Sequence, residues 1–288
     1  MNTWVLINAL LISLSCSLAG AFLVLRHRAM LTDAISHAVL PGLVLAFLIS
    51  GTRNTPTMLA GAFVFGFICI FLVEFFRNRV RITDDASIGI AFTTLFAVGI
   101  ILVTRYADQV DLDQECVLHG EITFSALKRM VLPGTNWAIP VTFISSFVML
   151  IVVVALIGLG YHSLKLTSFN PEYATSIGVS VVIWHYLAGG LASMVTIVSF
   201  EAVGAILVIA LMVIPAATAW QVSTRLRPML FKTAAFALSG SFIGYWIAIR
   251  LNVSIAGSIA FFLGIQFAIV VLIVKALQLN HFKMKSPN

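Results

Sequence analysis

The chain has 288 residues, of which 60% are hydrophobic and only 10% are charged, and its mean hydropathy is +1.07. A soluble domain of this length needs more polar surface, so the composition excludes that class and predicts an all-α polytopic membrane protein. The surplus of 17 Lys and Arg over 11 Asp and Glu gives no support for nucleic-acid binding, and its meaning lies in its distribution among loops.

Nine apolar stretches approach or exceed the roughly 20 residues that cross a hydrocarbon core. They occupy residues 4–25, 30–50, 58–76, 86–103, 137–160, 179–199, 202–220, 233–249 and 255–277. No segment between them is long enough for a separate soluble domain. Residues 1–288 are therefore expected to form one transmembrane domain with eight or nine membrane helices.

Basic residues are spread unevenly among the predicted loops. Twelve of the seventeen fall on one side if the loops after the first, third, fifth and seventh spans share that side with the tail 278–288 and with Lys275 at the end of the ninth span. The positive-inside rule makes that side cytoplasmic, with the N-terminus outside and the C-terminus inside.

The second span follows the basic residues Arg26 and Arg28 and carries Asp33 and His37 four residues apart. Both ionisable groups are costly in hydrocarbon, so they indicate either a functional site or a hydrogen-bonded pair that holds a bent helix. At this spacing they share one helix face and offer a carboxylate and an imidazole to a borderline divalent metal. Pro41 cannot donate to the His37 carbonyl, which predicts a bend and a free carbonyl there.

Other ionisable residues near the spans have simpler interpretations. Glu74 is three residues from Arg77, which predicts a surface ion pair. For His185 and Glu201, near the sixth and seventh spans, a local hydrogen-bonding role is favoured over metal binding.

The long connection 104–136 is predicted to be external and is rich in Asp and Glu. A solvated acidic loop is favoured, and a metal site that includes His119 and Glu121 is the alternative. Even without bound metal, an acidic rim raises the local concentration of cations at a pore mouth.

The connection between the fifth and sixth spans predicts a short helix at about 169–178. Asn170 suits the N-cap, Pro171 the first helical position, Glu172 the first turn and Gly178 the end. Such a helix either docks on a partner or merely connects two spans at the interface.

The seventh span contains an Ile-Pro-Ala-Ala-Thr-Ala run at residues 214–219. Pro215 leaves the Leu211 carbonyl without its helical donor, and the small residues permit close helix approach. This pattern predicts a tightly packed and bent helix near a pathway.

The sequence has no Gly-x-x-x-x-Gly-Lys-Ser/Thr phosphate loop, no His-Glu-x-x-His and no Gly-x-Ser-x-Gly. The chain itself is therefore not expected to be an enzyme. Three classes stay open: a permease that works with a separate ATPase, a secondary transporter or channel for divalent metal cations independent of ATP, and an intramembrane enzyme.

Five segments occur in an order that is more specific than any one of them. They are residues 25–42 with Asp-x-x-x-His-x-x-x-Pro-Gly, 85–90 (Asp-Ala-Ser-Ile-Gly-Ile), 111–121, 169–174 (Phe-Asn-Pro-Glu-Tyr-Ala) and 203–219. Together they resemble the permease subunit of bacterial zinc, manganese and iron uptake ABC transporters, the metal-ion ABC transporter permease family.

The resemblance implies a type II ABC importer-like permease in the bacterial inner membrane. It implies pairing with a second permease chain, identical or paralogous, and binding to a cytoplasmic ATPase and to an extracytoplasmic metal-binding protein. It further implies that Asp33 and His37 line the path of transported Mn²⁺, Zn²⁺ or Fe²⁺, with no permanent cofactor, and that the helix at 169–178 is the coupling helix. His119-Gly120-Glu121 depart from the aromatic and Asn or Asp of many members and look closer to the manganese/iron branch.

Our hypothesis is that Asp33 and His37 of two protomers face each other across a dimer axis and form a transient site. One helix supplies two ligands, whereas these metals take four to six. An incomplete ligand shell suits transport, because a pathway site must also release its ion.

Overall fold

The computed structural model describes residues 2–51, 55–106, 129–131 and 138–284, and nearly all of them are helical. The helices are α1 (Asn2–Leu25), α2 (Leu31–Ser50), α3 (Thr55–Phe75), α4 (Asp84–Tyr106), α5 (Val141–Phe169), α6 (Pro171–Ser176), α7 (Val181–Val203), α8 (Ala205–Gln221), α9 (Leu226–Leu251) and α10 (Ile255–Met284). A π-helical turn, Phe76–Val80, extends α3. Two short strands, β1 (Arg129–Val131) and β2 (Ala138–Pro140), pair antiparallel before α5.

Eight helices in the described ranges are long and apolar enough to cross a membrane, and α8 is a shorter apolar helix of 17 residues. At 1.5 Å per residue α8 measures about 26 Å, less than the ~30 Å of a hydrocarbon core. The expected all-α membrane architecture with eight or nine membrane helices is therefore confirmed.

Three helices extend well beyond the predicted spans. α5 continues to Phe169 instead of ending at residue 160, α9 begins at Leu226 instead of 233, and α10 continues to Met284 instead of ending at 277. A polar residue ends an apolar run without ending a helix, because the helix continues until a capping residue or a proline interrupts it. For α5 that stop is Asn170 followed by Pro171.

α7 and α8 form a hairpin that reverses at a single residue, Gly204. Its backbone angles, φ 78° and ψ 164°, lie in a region that essentially only glycine adopts. Thr196 and Met212, eight residues to either side, are in contact, with the Thr196 hydroxyl 3.3 Å from the Met212 sulfur. α8 also packs closely on α1, where a Cβ on Gly20 would lie 2.0 Å from the Met212 carbonyl oxygen. α8 is thereby enclosed by other helices along most of its length.

Glycine contacts hold α2 against α3 and α4. A Cβ on Gly42 would lie 2.3 Å from the carbonyl oxygen of Gly61 in α3, and one on Gly99 of α4 would lie 2.9 Å from Cδ of Pro41. Helices in lipid associate through such close packing, since burial from lipid brings no hydrophobic gain. Both neighbours therefore fix α2 at the level of Pro41.

One end of the bundle collects the α1–α2, α3–α4, α5–α7 and α8–α9 connections, and we call it the basic end. In the α1–α2 connection, Arg26 Nε donates to the Ser168 hydroxyl at 3.1 Å, and the His27 ring packs on Trp220 with centroids 5.4 Å apart. Arg28 of the same connection also makes a contact at this end, because its Nε lies 3.4 Å from Oδ2 of Asp84, the first residue of α4. α6 lies at this same end.

We predict that Gly42→Ala destabilises the folded protein by about 1–3 kcal/mol, because the added methyl group meets the α3 backbone, which cannot rotate away. The matched control is Gly264→Ala in α10, where a Cβ meets no atom within 4 Å. Thermal unfolding in detergent should show a lower midpoint for the first variant alone. Equal midpoints for both variants would contradict the tight α2–α3 contact.

Candidate functional site

Asp33 and His37 lie one turn apart on α2, with His37 Nε2 3.5 Å from Asp33 Oδ1. Both side chains are partly open, with exposed fractions of 37% for Asp33 and 30% for His37. A carboxylate oxygen and an imidazole nitrogen at this separation can reach the same ion after a small side-chain adjustment. Both groups are therefore placed and accessible for binding a divalent cation.

The two residues belong to a stripe of α2 that the described part of the chain covers only partly. Within residues 31–42, only Asp33, His37 and Leu40 keep more than marginal exposed surface. Their spacing of four and three residues places all three on one helix face. The remaining faces of this segment are buried against neighbouring helices.

Aromatic side chains of α4 border the His37 ring. Its centroid lies 5.7 Å from that of Phe92 and 5.2 Å from that of Phe96. Pro41 lies one turn further along and is itself buried against Gly99. These contacts restrict the orientation of the imidazole and leave its Asp33 side open.

Two side chains do not complete a metal site. In the ranges that the structure describes, no group of three or more His, Cys, Asp or Glu residues is arranged to hold a metal ion. A borderline divalent metal takes four to six ligands. A metal ion at the Asp33–His37 pair would need further ligands from water, from backbone carbonyls, from residues outside those ranges or from a second chain.

α8 contacts α2 beside this pair. The Thr32 hydroxyl, next to Asp33 in the chain, lies 3.5 Å from the Met212 sulfur. Pro215, buried in the middle of α8, has no N–H for the Leu211 carbonyl. A carbonyl without its helical donor thus lies one residue from the methionine that touches the α2 segment.

The short helix α6 has the local structure that its sequence predicts. The Asn170 side chain caps it by accepting from the Tyr173 backbone N–H at 3.0 Å, and Pro171 is its first residue. Gly178 follows with φ +82°, a left-handed conformation that favours glycine. Glu172 is exposed, whereas Ala174 is the one buried residue of α6.

Three predicted residues lie outside what the structure describes. His119 and Glu121 belong to residues 107–128, and the side chain of Glu201 is likewise not described. The metal site in the external loop stays a prediction.

A buried ion cluster lies at the basic end, and we call it the Arg28 cluster: Arg28, Glu74, Asp84 and His185. Arg28 is 3% exposed and Glu74 is 5% exposed. The Arg28 guanidinium contacts both the Glu74 carboxylate and the His185 ring, and His185 Nε2 lies 2.7 Å from Glu74 Oε1. Arg28 Nε also lies 3.4 Å from an Asp84 oxygen. The cluster thus ties the α1–α2 connection to α3, α4 and α7.

Arg26 makes a second set of contacts beside this cluster. Its guanidinium donates to the hydroxyls of Thr167 and Ser168, each at 3.1 Å, and to the Trp184 carbonyl at 3.4 Å. Burial, reinforced by repulsion from Arg28, lowers the pKa of Arg26 to about 10, so it stays charged at neutral pH. Thr167 and Ser168 lie at the end of α5, and Trp184 lies in the first turn of α7.

The predicted surface ion pair between Glu74 and Arg77 is wrong in its main feature. Arg77 Nη1 is 3.7 Å from Glu74 Oε2, but Glu74 is buried and its closest partners are Arg28 and His185. Spacing along the helix reveals only the neighbour three residues away, and Arg28 comes from 46 residues earlier in the chain. The predicted local hydrogen-bonding role of His185 is confirmed by its contact with Glu74.

Comparison with known proteins gives a consistent result. The chain matches the family described as the ABC 3 transport family over residues 1–275. It is 39% identical over 267 residues to the manganese transport system membrane protein MntD of Bacillus subtilis, covering 93% of this chain and 90% of that one. It is 35% identical over 272 residues to the zinc transport system membrane protein TroD of Treponema pallidum, covering 94% and 74%.

A solved structure also resembles this fold over almost its whole length. PsaBC from Streptococcus pneumoniae in complex with Fab superposes with a TM-score of 0.75 at 29% identity, covering 92% of this chain and 89% of that chain.

We predict that Glu74→Ala destabilises the fold by about 3–5 kcal/mol, because it leaves Arg28 buried without its main counter-charge. Arg77→Ala should cost less than about 1 kcal/mol, since that side chain is 40% exposed and its charge is partly solvated. Unfolding by denaturant in detergent measures both. A Glu74 variant as stable as the Arg77 variant would show that the buried pairing does not support the fold.

Proposed function

Because this chain belongs to the ABC 3 transport family and is a multi-pass membrane permease, we propose that it forms the pathway of an ATP-driven importer of a divalent transition-metal ion. The observation that carries the proposal is the Asp33–His37 pair on an uncovered stripe of α2. Ionisable groups inside a membrane bundle either pair with an opposite charge or line a path for ions. In this chain the buried charges are paired in the Arg28 cluster, whereas Asp33 and His37 are open.

A second permease chain completes the site in this proposal. When two uncovered α2 stripes face each other, they bring two carboxylates and two imidazoles together, which meets the minimum of four ligands. The same pairing covers Leu40, the apolar member of the stripe. The free carbonyl one turn before Pro41 adds an oxygen ligand at the same level. The second chain is either identical to this one or a paralogue of it.

The donor set suits both manganese and zinc. The site offers oxygen and imidazole nitrogen, whereas thiolates, which select softer metals, are absent from it: Cys16 and Cys69 are buried elsewhere in the bundle. The names of the relatives MntD and TroD agree with these two metals. Iron stays a third prediction, for which the donor set is also suitable.

The basic end is the cytoplasmic side in this proposal, and α6 is the helix on which a separate ATPase docks. Phe169, Tyr173 and Ile177 are 59%, 53% and 48% exposed and follow a four-residue spacing along the α6 segment. Three exposed apolar side chains close together in a short segment are typical of a protein contact. Ala174 anchors the opposite face to the bundle. An extracytoplasmic metal-binding protein then delivers the ion at the other end, near the acidic connection 104–136.

We predict that Asp33→Asn and His37→Ala each reduce ATP-dependent manganese uptake to background. Asp33→Asn removes the charge of one of the two side-chain ligands that one chain supplies, and His37→Ala removes the other ligand. Both side chains are partly open in the single chain. The assay is uptake into proteoliposomes that contain the permease, its ATPase and the binding protein, with and without ATP.

Matched controls use the same side-chain changes outside the stripe. Asp85→Asn and His162→Ala alter exposed residues that belong to none of the ion pairs described above, and both variants should transport at the wild-type rate. Uptake by the wild-type complex that is the same with and without ATP would overturn the proposed function. Normal uptake by both site variants would show that Asp33 and His37 do not line the pathway.

A second prediction concerns α6. Gly178→Val forces a left-handed residue out of its conformation and displaces α6, so the number of ATP molecules hydrolysed for each ion imported should rise severalfold. Gly51→Val is the control, because Gly51 also has a positive φ, +61°, and equally open surroundings, but lies after α2. Equal ratios in the two variants would argue against a coupling role for α6.

A further inference from the structure

The α1–α2 connection has only five residues, yet Arg28 is buried and Arg26 is partly buried. α1 ends in a Schellman motif: the Arg28 N–H donates to the Leu23 carbonyl at 2.8 Å and the His27 N–H to the Val24 carbonyl at 3.0 Å. His27 takes the left-handed position of this motif with φ +57°, which is unfavourable for a residue other than glycine. The turn brings Arg26 and Arg28 into the bundle on either side of His27.

Arg26 holds both ends of the α6 segment. Its acceptors Thr167 and Ser168 lie four and three residues before Pro171, and Trp184 lies in the first turn of α7, after the segment ends. One guanidinium therefore bridges the two points between which α6 projects. A shift of α6 relative to the bundle acts directly on this side chain.

Arg28 connects the same turn to the helices that surround α2. Its partners Glu74, Asp84 and His185 belong to α3, α4 and α7, and all three of these helices pack on α2. Leu31 begins α2 three residues later, and Asp33 lies in its first turn. The metal-site pair is thus attached at its near end to a fixed set of charges.

From these contacts we infer that Arg26 and Arg28 are positioning residues that transmit movement of α6 to the Asp33–His37 pair, an inference that rests on the proposed function. Separating the buried guanidinium groups from their partners is unfavourable in a low-dielectric interior. The α6 flanks, the α1–α2 turn and the start of α2 therefore move as one body. A displacement of α6 by the ATPase then changes the position of Asp33 and His37 relative to those of the second chain.

A purely topological role does not account for the burial of Arg28 or for the hydrogen bonds of the partly buried Arg26. Basic residues that only mark the cytoplasmic side are exposed to solvent and headgroups, as Arg79 and Arg81 at this same end are. Arg28, in contrast, is 3% exposed, and Arg26 has three protein acceptors. Their contacts select a specific arrangement of helices.

The test compares Arg26→Met with Arg79→Met in the reconstituted complex and measures the ATP hydrolysed for each manganese ion imported. Methionine keeps an apolar stem in place of the guanidinium. For Arg26→Met, hydrolysis should persist while uptake falls, so the ratio rises roughly tenfold, which is within the usual range of coupling between two sites. Manganese binding without nucleotide should stay unchanged, because Asp33 and His37 are intact. Arg79→Met should give the wild-type ratio.

A second variant tests the same contact by changing the hydroxyl groups that accept from Arg26. Thr167→Val with Ser168→Ala removes two acceptors of Arg26 while leaving both arginines in place, and it should raise the ratio in the same direction. This variant decides the matter if Arg26→Met does not assemble.

The outcomes separate this inference from the proposed function. A wild-type complex without ATP-driven uptake overturns the proposed function and the inference with it. A wild-type complex that transports, with variants whose hydrolysis and uptake stay normal or fall together, overturns the inference alone.

Discussion

The structure depends on one constraint: a charge inside an apolar bundle needs a partner. Arg28 and Glu74, which are 3% and 5% exposed, meet it by contacting each other and His185. Asp33 and His37, which are 37% and 30% exposed, meet it only in part, because their ionic contact within the described residues is with each other. We therefore assign the buried and paired charges to the scaffold and propose that the open Asp33–His37 pair is the site.

α2 is the element on which these two groups of charges meet. α2 starts three residues after Arg28, and Gly42 in its middle packs on α3. Its first turn contacts α8 through Thr32 and Met212. Only the stripe that carries Asp33 and His37 is partly open within the described chain, with the His37 ring bordered by Phe92 and Phe96 of α4. A helix that is firmly held on every other face can present two ligands in a constant geometry and can move only with the helices that hold it. This combination suits a site that opens and closes as a unit.

The sequence was sufficient where the determining contacts are local. The apolar spans, the Asn170 cap and the shared face of Asp33 and His37 all follow from spacings of a few residues, and the structure has each of them. It was insufficient for Glu74, whose partners lie 46 and 111 residues away in the chain. The reversal at Gly204 was also missed in detail, because a one-residue turn between helices leaves no polar loop to mark it.

The most direct test of the account is to locate the ion in the assembled complex. Anomalous scattering from crystals of the permease pair with bound manganese should show one ion between the two α2 helices, in contact with Asp33 and His37 of both chains. Coordination distances should be close to the roughly 2.0–2.2 Å that such ligands show with zinc. An ion bound elsewhere in the membrane region, with Asp33 and His37 of both chains outside coordination distance, would contradict the account.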